Sequence, residues 1–300
     1  MSKESFMFQH QYADVNGIRI HYVTAGKGKL IMFLHGFPEF WYAWKNQLEE
    51  FGKEYQAVAP DMRGYNLSSR PPEVEKYHTK YLVEDIRLLA EHLGYKKFVL
   101  VAHDWGGGVA WPFVLRHPDY VEKLIIINAP HPFVFDRELR NNPDQQKASA
   151  YMLMFRSKEA EQILSANNYA SLVDTVLTDG LKQGYFTEQD KKAYIEAWSQ
   201  PGALTGGLNY YRAASLGGLT GENSATIPEP IPDQFITRVP TLIIWGEKDR
   251  YLLTGNMNGL DKYVTNLTIK RIPDGSHWVV HEKPELVNRL MRDFIKGTTR

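Results

Sequence analysis

A chain of 300 residues with 35 basic and 35 acidic side chains carries no formal net charge, and 43% apolar content marks an ordinary globular protein. That balance argues against nucleic acid or an anionic membrane as main partner, and the lack of cysteine removes disulfides, thiolate zinc sites and thiol nucleophiles together. No run approaches the ~18 apolar residues of a membrane span, and Met1–Phe6 has no apolar leader segment, so a cytoplasmic protein is expected.

In chain order, Gln9–Val15 and Ile18–Ala25, split by Asn16-Gly17, read as a β-hairpin. Leu30–Leu34, Ala57–Ala59, Phe98–Ala102, Leu124–Ile127 and Leu242–Trp245 are short and apolar throughout, the pattern of strands buried on both faces of a parallel sheet. Val83, Ile86, Leu89, Ala90 and Leu93 recur at helical spacing, and Gly94 supplies a stop; Glu282–Ile295 reads as a closing helix. Between about Phe135 and Ala225 the alternation breaks. The pattern there is helical, over Gln146–Phe155, Lys158–Leu164, Ser171–Leu181, Glu188–Trp198 and Leu204–Leu216, and the Gly- and Pro-rich stretch Gly217–Pro232 reads as a return linker. The expected class is α/β: a core domain of residues 1–134 and 226–300 with a mostly parallel sheet, interrupted by an all-helical cap of residues 135–225.

Val101-Ala102-His103-Asp104-Trp105-Gly106-Gly107 lies where a buried strand passes into a helix. Small neighbours at such an elbow let backbone and helix approach closely and expose the central side chain, which makes Asp104 a candidate nucleophile; a helix N-cap is the alternative. A carboxylate attacking an ester would only form an anhydride. It can instead displace a leaving group from an sp³ carbon, leaving an alkyl ester on the protein. His35-Gly36-Phe37-Pro38 follows Leu30–Leu34, and its turn can aim the Phe37 N–H at the elbow. With the Trp105 N–H this makes a two-donor oxyanion hole; a tight turn around a buried His is the alternative. Trp245-Gly246-Glu247-Lys248-Asp249 sets an acid past one strand, and Pro273-Asp274-Gly275-Ser276-His277-Trp278 sets a His past the next. Taken singly, His277 reads as a surface histidine. Strand-end placement and the order nucleophile, acid, histidine join Asp104, Asp249 and His277 into a triad.

These motifs resemble the α/β-hydrolase superfamily with an aspartate nucleophile, most closely its soluble bacterial epoxide hydrolases, over nearly the whole chain. The HGFP, HDWGG, Gly-Glu-Lys-Asp and Ser-His-Trp turns each stand where that family has them. The resemblance implies two cap tyrosines, matched here by Tyr151 and Tyr211. Tyr210 is the rival, but Leu204, Leu208 and Tyr211 share one helical face; plain packing is the alternative for both tyrosines. The implied activity is conversion of epoxides to vicinal diols through a hydroxyalkyl ester on Asp104, with no cofactor and no metal. Two phenols suit an alkoxide leaving group, whereas a halide needs N–H donors and no acid.

Haloalkane dehalogenase is the alternative activity, although Phe37 stands where one dehalogenase group has Asn. A hydrolase-fold receptor that binds without turnover is a remoter one. Fluoroacetate dehalogenases match less well: Trp105 replaces their Arg, and Asn128 stands where they place the acid. Phe133, Met152 and Phe155, with Phe37 and Trp105, are expected to line an apolar pocket that favours apolar or aryl epoxides. Asp61-Met62-Arg63-Gly64-Tyr65 is expected to be structural, and His103 and His131 to be satisfied by hydrogen bonds. The expected partner is a small-molecule epoxide, with no nucleic acid and no membrane.

Overall fold

Apolar runs buried on both faces need strands on both sides and helices above and below. The computed structural model, which describes residues 8–220 and 231–298, provides them. The strands are β1 (Gln9–Val15), β2 (Ile18–Ala25), β3 (Leu30–Leu34), β4 (Gln56–Pro60), β5 (Phe98–His103), β6 (Val121–Ile127), β7 (Thr241–Gly246) and β8 (Leu267–Ile272). They form one sheet in the order β1-β2-β4-β3-β5-β6-β7-β8. The hairpin β1–β2 turns at Asn16-Gly17, both at positive φ, and β2 joins β4 antiparallel; every pairing from β4 to β8 is parallel. All of β3 and β5 is buried. This is the α/β-hydrolase fold.

The topology itself selects the site. The chain leaves β3 for β4 on one side and returns to β5 on the other, so the crevice past the carboxyl ends of β3 and β5 is the switch point where open α/β sheets bind ligands. The loops carrying Phe37 and Asp104 leave the sheet there. Those carrying Asn128, Asp249 and His277 leave the same edge from β6, β7 and β8.

Between β6 and β7 every regular element described is helical. The first of these helices, Pro132–Asn141, begins three residues before the expected boundary, with Pro at its first position. The segment read as one helix over Gln146–Phe155 is two, Pro143–Ala148 and Tyr151–Phe155. The helix Ala160–Val176 is broken at Ala166–Tyr169, where Asn167, Asn168 and Tyr169 all take positive φ, and the sequence pattern lapses at that point. Glu188–Trp198 forms as expected, opened by a Thr187–Asp190 capping box. Gly217–Thr220, expected in the return linker, forms a short helix, and most of that linker, residues 221–230, lies outside the described residues. Among the described residues no helix is long and apolar enough to cross a membrane.

Candidate active site

The elbow after β5 is strained. Asp104 sits at φ 50°, ψ −123°, a conformation non-glycine residues avoid, and helix Trp105–Arg116 begins at the next residue. The close approach has a steric basis. A Cβ on Gly106 would lie 2.2 Å from the Leu34 carbonyl oxygen, and one on Gly36 would lie 2.3 Å from the Asp104 side chain. Both residues therefore have to be glycine for the two loops to meet. The Phe37 N–H then donates to Asp104 Oδ1 at 2.8 Å. Trp105 supplies the first N–H of its helix, one of the four that no intrahelical acceptor satisfies. The β3 turn also holds the buried histidine of the alternative reading: His35 is fully buried and its Nε2 accepts the Met62 N–H at 3.0 Å.

His277 stands between two carboxylates. Its Nδ1 donates to Asp249 Oδ2 at 2.7 Å, and its Nε2 lies 3.6 Å from Asp104 Oδ2. Burial alone would lower the pKa of this imidazole, but Asp249, Asp104 and Glu39 outweigh burial and raise it to about 9. Burial acts oppositely on Asp249, pushing its carboxyl up; the charge and hydrogen bond of His277, with the N–H groups of Leu252 and Tyr251, hold it below the usual carboxylate range. Asp249 stays ionised and His277 readily holds a proton.

Tyr151 and Tyr211 share a cavity of about 200 Å³ with Asp104, His277, Phe37 and Tyr251. Their rings lie 6.4 Å apart. Burial first raises both phenols well above their ordinary value, followed by Asp104 for Tyr151 and by Tyr151 and then Asp104 for Tyr211, so both keep their protons as donors. Tyr210 is different: its O–H donates to the Arg63 carbonyl at 2.8 Å, and its ring packs on Tyr65 and Tyr77. A second cavity, of about 300 Å³, shares Asp104 and Tyr211 with the first and is walled by Trp105, Phe135, Leu139, Met152 and Leu216, among others. The arrangement sets the Asp104 side chain against the Phe37 N–H, with the His277–Asp249 pair behind it and two phenols across the cavity.

Met152 lines the larger cavity and Phe155 the smaller. Phe133 lines neither. Its ring packs against Phe235 and Tyr263, because residues two apart on a helix point about 200° apart; Phe135 takes the wall position instead. His131 also departs from expectation. It is fully buried between Trp111 and Tyr263, neither ring nitrogen has a hydrogen-bond partner among the described residues, and burial lowers its pKa to about 3, so it packs as a neutral ring. His103 is satisfied, facing the His277 carbonyl from Nε2 at 2.9 Å. Arg63 makes a buried two-bond pair with Asp85, and Asp61 accepts from Trp41 N–H and Asn66 while facing His21, in keeping with a structural motif.

Sequence reasoning gave Asn128 no role at the site. Fully buried and at φ 39°, it donates from Nδ2 to Asp249 Oδ2 at 2.8 Å and accepts the Gly246 N–H at 2.8 Å. An Asn directly after a buried strand was the available signal, since Asn tolerates the left-handed conformation.

A family model described as alpha/beta hydrolase fold matches residues 29–284. The chain belongs to the α/β-hydrolase family. The AB hydrolase superfamily protein YfhM of Bacillus subtilis is 39% identical, over 96% of this chain and 98% of that protein. Epoxide hydrolase 4 of Mus musculus is 39% identical, over 97% of this chain and 80% of that one. A crystal structure of Bacillus megaterium epoxide hydrolase with an inhibitor superposes at a TM-score of 0.89 with 41% identity, covering 95% of this chain and 100% of that one. A mutant of that enzyme has been solved with its product, (R)-3-[1]naphthyloxy-propane-1,2-diol. Within the family this chain is a hydrolase of the epoxide-hydrolase-like group.

Proposed function

We propose that this α/β-hydrolase opens epoxides to vicinal diols through a hydroxyalkyl ester on Asp104. The observation that carries this reading is the facing of Asp104, with His277 behind it, by two protonated phenols across one cavity. Asp104 attacks an epoxide carbon from the side away from the ring oxygen while Tyr151 and Tyr211 donate to that oxygen, so the C–O bond breaks toward an alcohol rather than a free alkoxide. Alkylation cancels the Asp104 charge. One of the carboxylates that raise the His277 pKa is then gone, and the imidazole becomes a readier base for water. Water adds to the ester carbonyl, the N–H groups of Phe37 and Trp105 hold the oxyanion, and collapse releases the diol and restores Asp104. Each such donor contributes about 3 kcal/mol in comparable sites. Asp249 orients His277 and balances its charge.

Epoxides with apolar or aryl substituents suit the two cavities, whose walls are mostly apolar. The naphthyloxy diol held by the Bacillus megaterium enzyme is in keeping with such a preference. A panel of styrene oxide, glycidyl ethers and simple haloalkanes, with diol and halide both measured, tests the function. Diol from the epoxides with little halide is expected; halide release without diol would assign the alternative leaving group.

A further inference from the structure

Three residues past Gly36, the same loop that presents Phe37 carries a buried carboxylate with no part in the steps above. Glu39 is 2% exposed. Its Oε1 accepts the Tyr194 O–H at 2.7 Å and faces His281 Nε2 at 2.6 Å, and its Oε2 lies 3.4 Å from His103 Nδ1. Burial pushes Glu39 up, but His281 and His103 beside it hold it well below the usual carboxylate range, so it is a buried anion. His103 in turn faces the His277 carbonyl. One carboxylate thus ties the β3 loop to the end of β5 and to the segment after His277.

The third tie comes from the helical insertion. Tyr194 and Trp198 lie one turn apart on helix Glu188–Trp198, hence on one face. Trp198 Nε1 donates to the Pro38 carbonyl at 2.5 Å, flanking Phe37 from the other side of the turn. The start of the helix is fastened independently, by Tyr42 O–H at 2.8 Å and by Lys45, both on Asp190. A buried anion that loses a donor shifts toward its remaining partners, and Phe37 is only two residues away. We propose that Tyr194 is a positioning residue for the Phe37 N–H, acting through Glu39, so that the seating of one insertion helix tunes the oxyanion hole. The inference rests on the ester mechanism proposed above.

The test compares Tyr194→Phe with Tyr42→Phe, which removes a phenol O–H from the same helix's anchor but leaves every Glu39 partner in place. Two readouts are taken on each: single-turnover rates of ester formation and hydrolysis with styrene oxide, and hydrogen exchange of the Phe37 amide without substrate. In Tyr194→Phe, hydrolysis should slow about tenfold, the size of one lost hydrogen bond, so that ester accumulates, while alkylation changes less than about twofold. Phe37 exchange should quicken by a similar factor, and Tyr42→Phe should leave both readouts near wild type. If either readout fails to move in Tyr194→Phe, or if Tyr42→Phe moves both as far, the proposal is overturned. Failure to detect an ester in wild type and in His277→Gln would instead count against the ester mechanism, and the exchange measurement, needing no turnover, would still decide on the loop.

Discussion

At Asp104 the geometry and the chemistry can be separated by one atom. Asp104→Asn keeps the shape and still offers an oxygen to the Phe37 N–H, but an amide is a poor nucleophile. Turnover should fall by several orders of magnitude with the thermal midpoint little changed, and mass spectrometry should exclude deamidation back to Asp; a fully amidated, active variant would remove Asp104 from the mechanism. His277→Gln divides the half-reactions. Alkylation needs no base, so intact-protein mass spectrometry should find enzyme plus one epoxide accumulating; unmodified, inactive protein would mean His277 acts earlier. The pH dependence has a defined sign. His277 is raised to about 9 in part by the neighbouring Asp104 carboxylate, and an ester on Asp104 would remove that contribution and lower it. A base must be neutral to act, so the single-turnover hydrolysis rate should rise with pH and level off at a midpoint below that resting value. A rate that fell as pH rose from about 6 to about 9 would contradict the assignment.

Adjacent residues on helix Ala203–Ala213 give the sharpest contrast between packing and function. Tyr211 faces the cavity and Tyr210 the Arg63 carbonyl. Tyr151→Phe and Tyr211→Phe should each slow epoxide opening, with the double variant losing nearly all of it, since general acids contribute about 10²-fold or more. Tyr210→Phe should leave opening unchanged and cost about 1 kcal/mol of stability through its lost hydrogen bond; stopped-flow alkylation and thermal denaturation distinguish them, and equal kinetic losses at 210 and 211 would defeat the argument. That contrast was legible because helical periodicity fixes a face. The buried strands were legible for a similar reason: β3 and β5 are apolar at nearly every position and carry the loops of Phe37 and Asp104. What was not legible depended on neighbours far along the chain. β8 was implied only by the turn after it, because this edge strand breaks its apolar run with Thr268 and the adjacent pair Lys270-Arg271. Phe133 was assigned by proximity to a motif rather than by helix phase, and Pro132 starting a helix reverses its direction. Asn128 became visible only when the end of β6 met the turn after β7.

Across the whole molecule, the insertion helices and the sheet edge enclose two cavities that meet at Asp104 and Tyr211. Among the described residues lining them there is no Lys or Arg, and the ionisable side chains other than tyrosines are Asp104, Asp136 and His277. Lys248, the one cation in the motifs that meet at Asp104, is exposed and lines neither cavity. An aryl substituent entering either space gains about 25 cal/mol for each Å² removed from water, on the order of 2 kcal/mol for a phenyl ring. A carboxylate entering the same space is stripped of water with no Lys or Arg to pair with, and it approaches the Asp104 carboxylate, a group of its own sign. His277 offers no escape, since Asp249 and Asp104 already share its charge. Phenyl glycidyl ether and styrene oxide should therefore show kcat/KM at least about tenfold above glycidate and epoxysuccinate, and raising the salt concentration should narrow the gap only slightly, because partly buried charges are screened much less than exposed ones. If an anionic epoxide were turned over faster than its neutral aryl counterpart at matched concentrations, the cavities would have to admit a cation that the lining does not contain. The apolar preference would then fall, while the ester on Asp104 would remain open to the mass-spectrometric test.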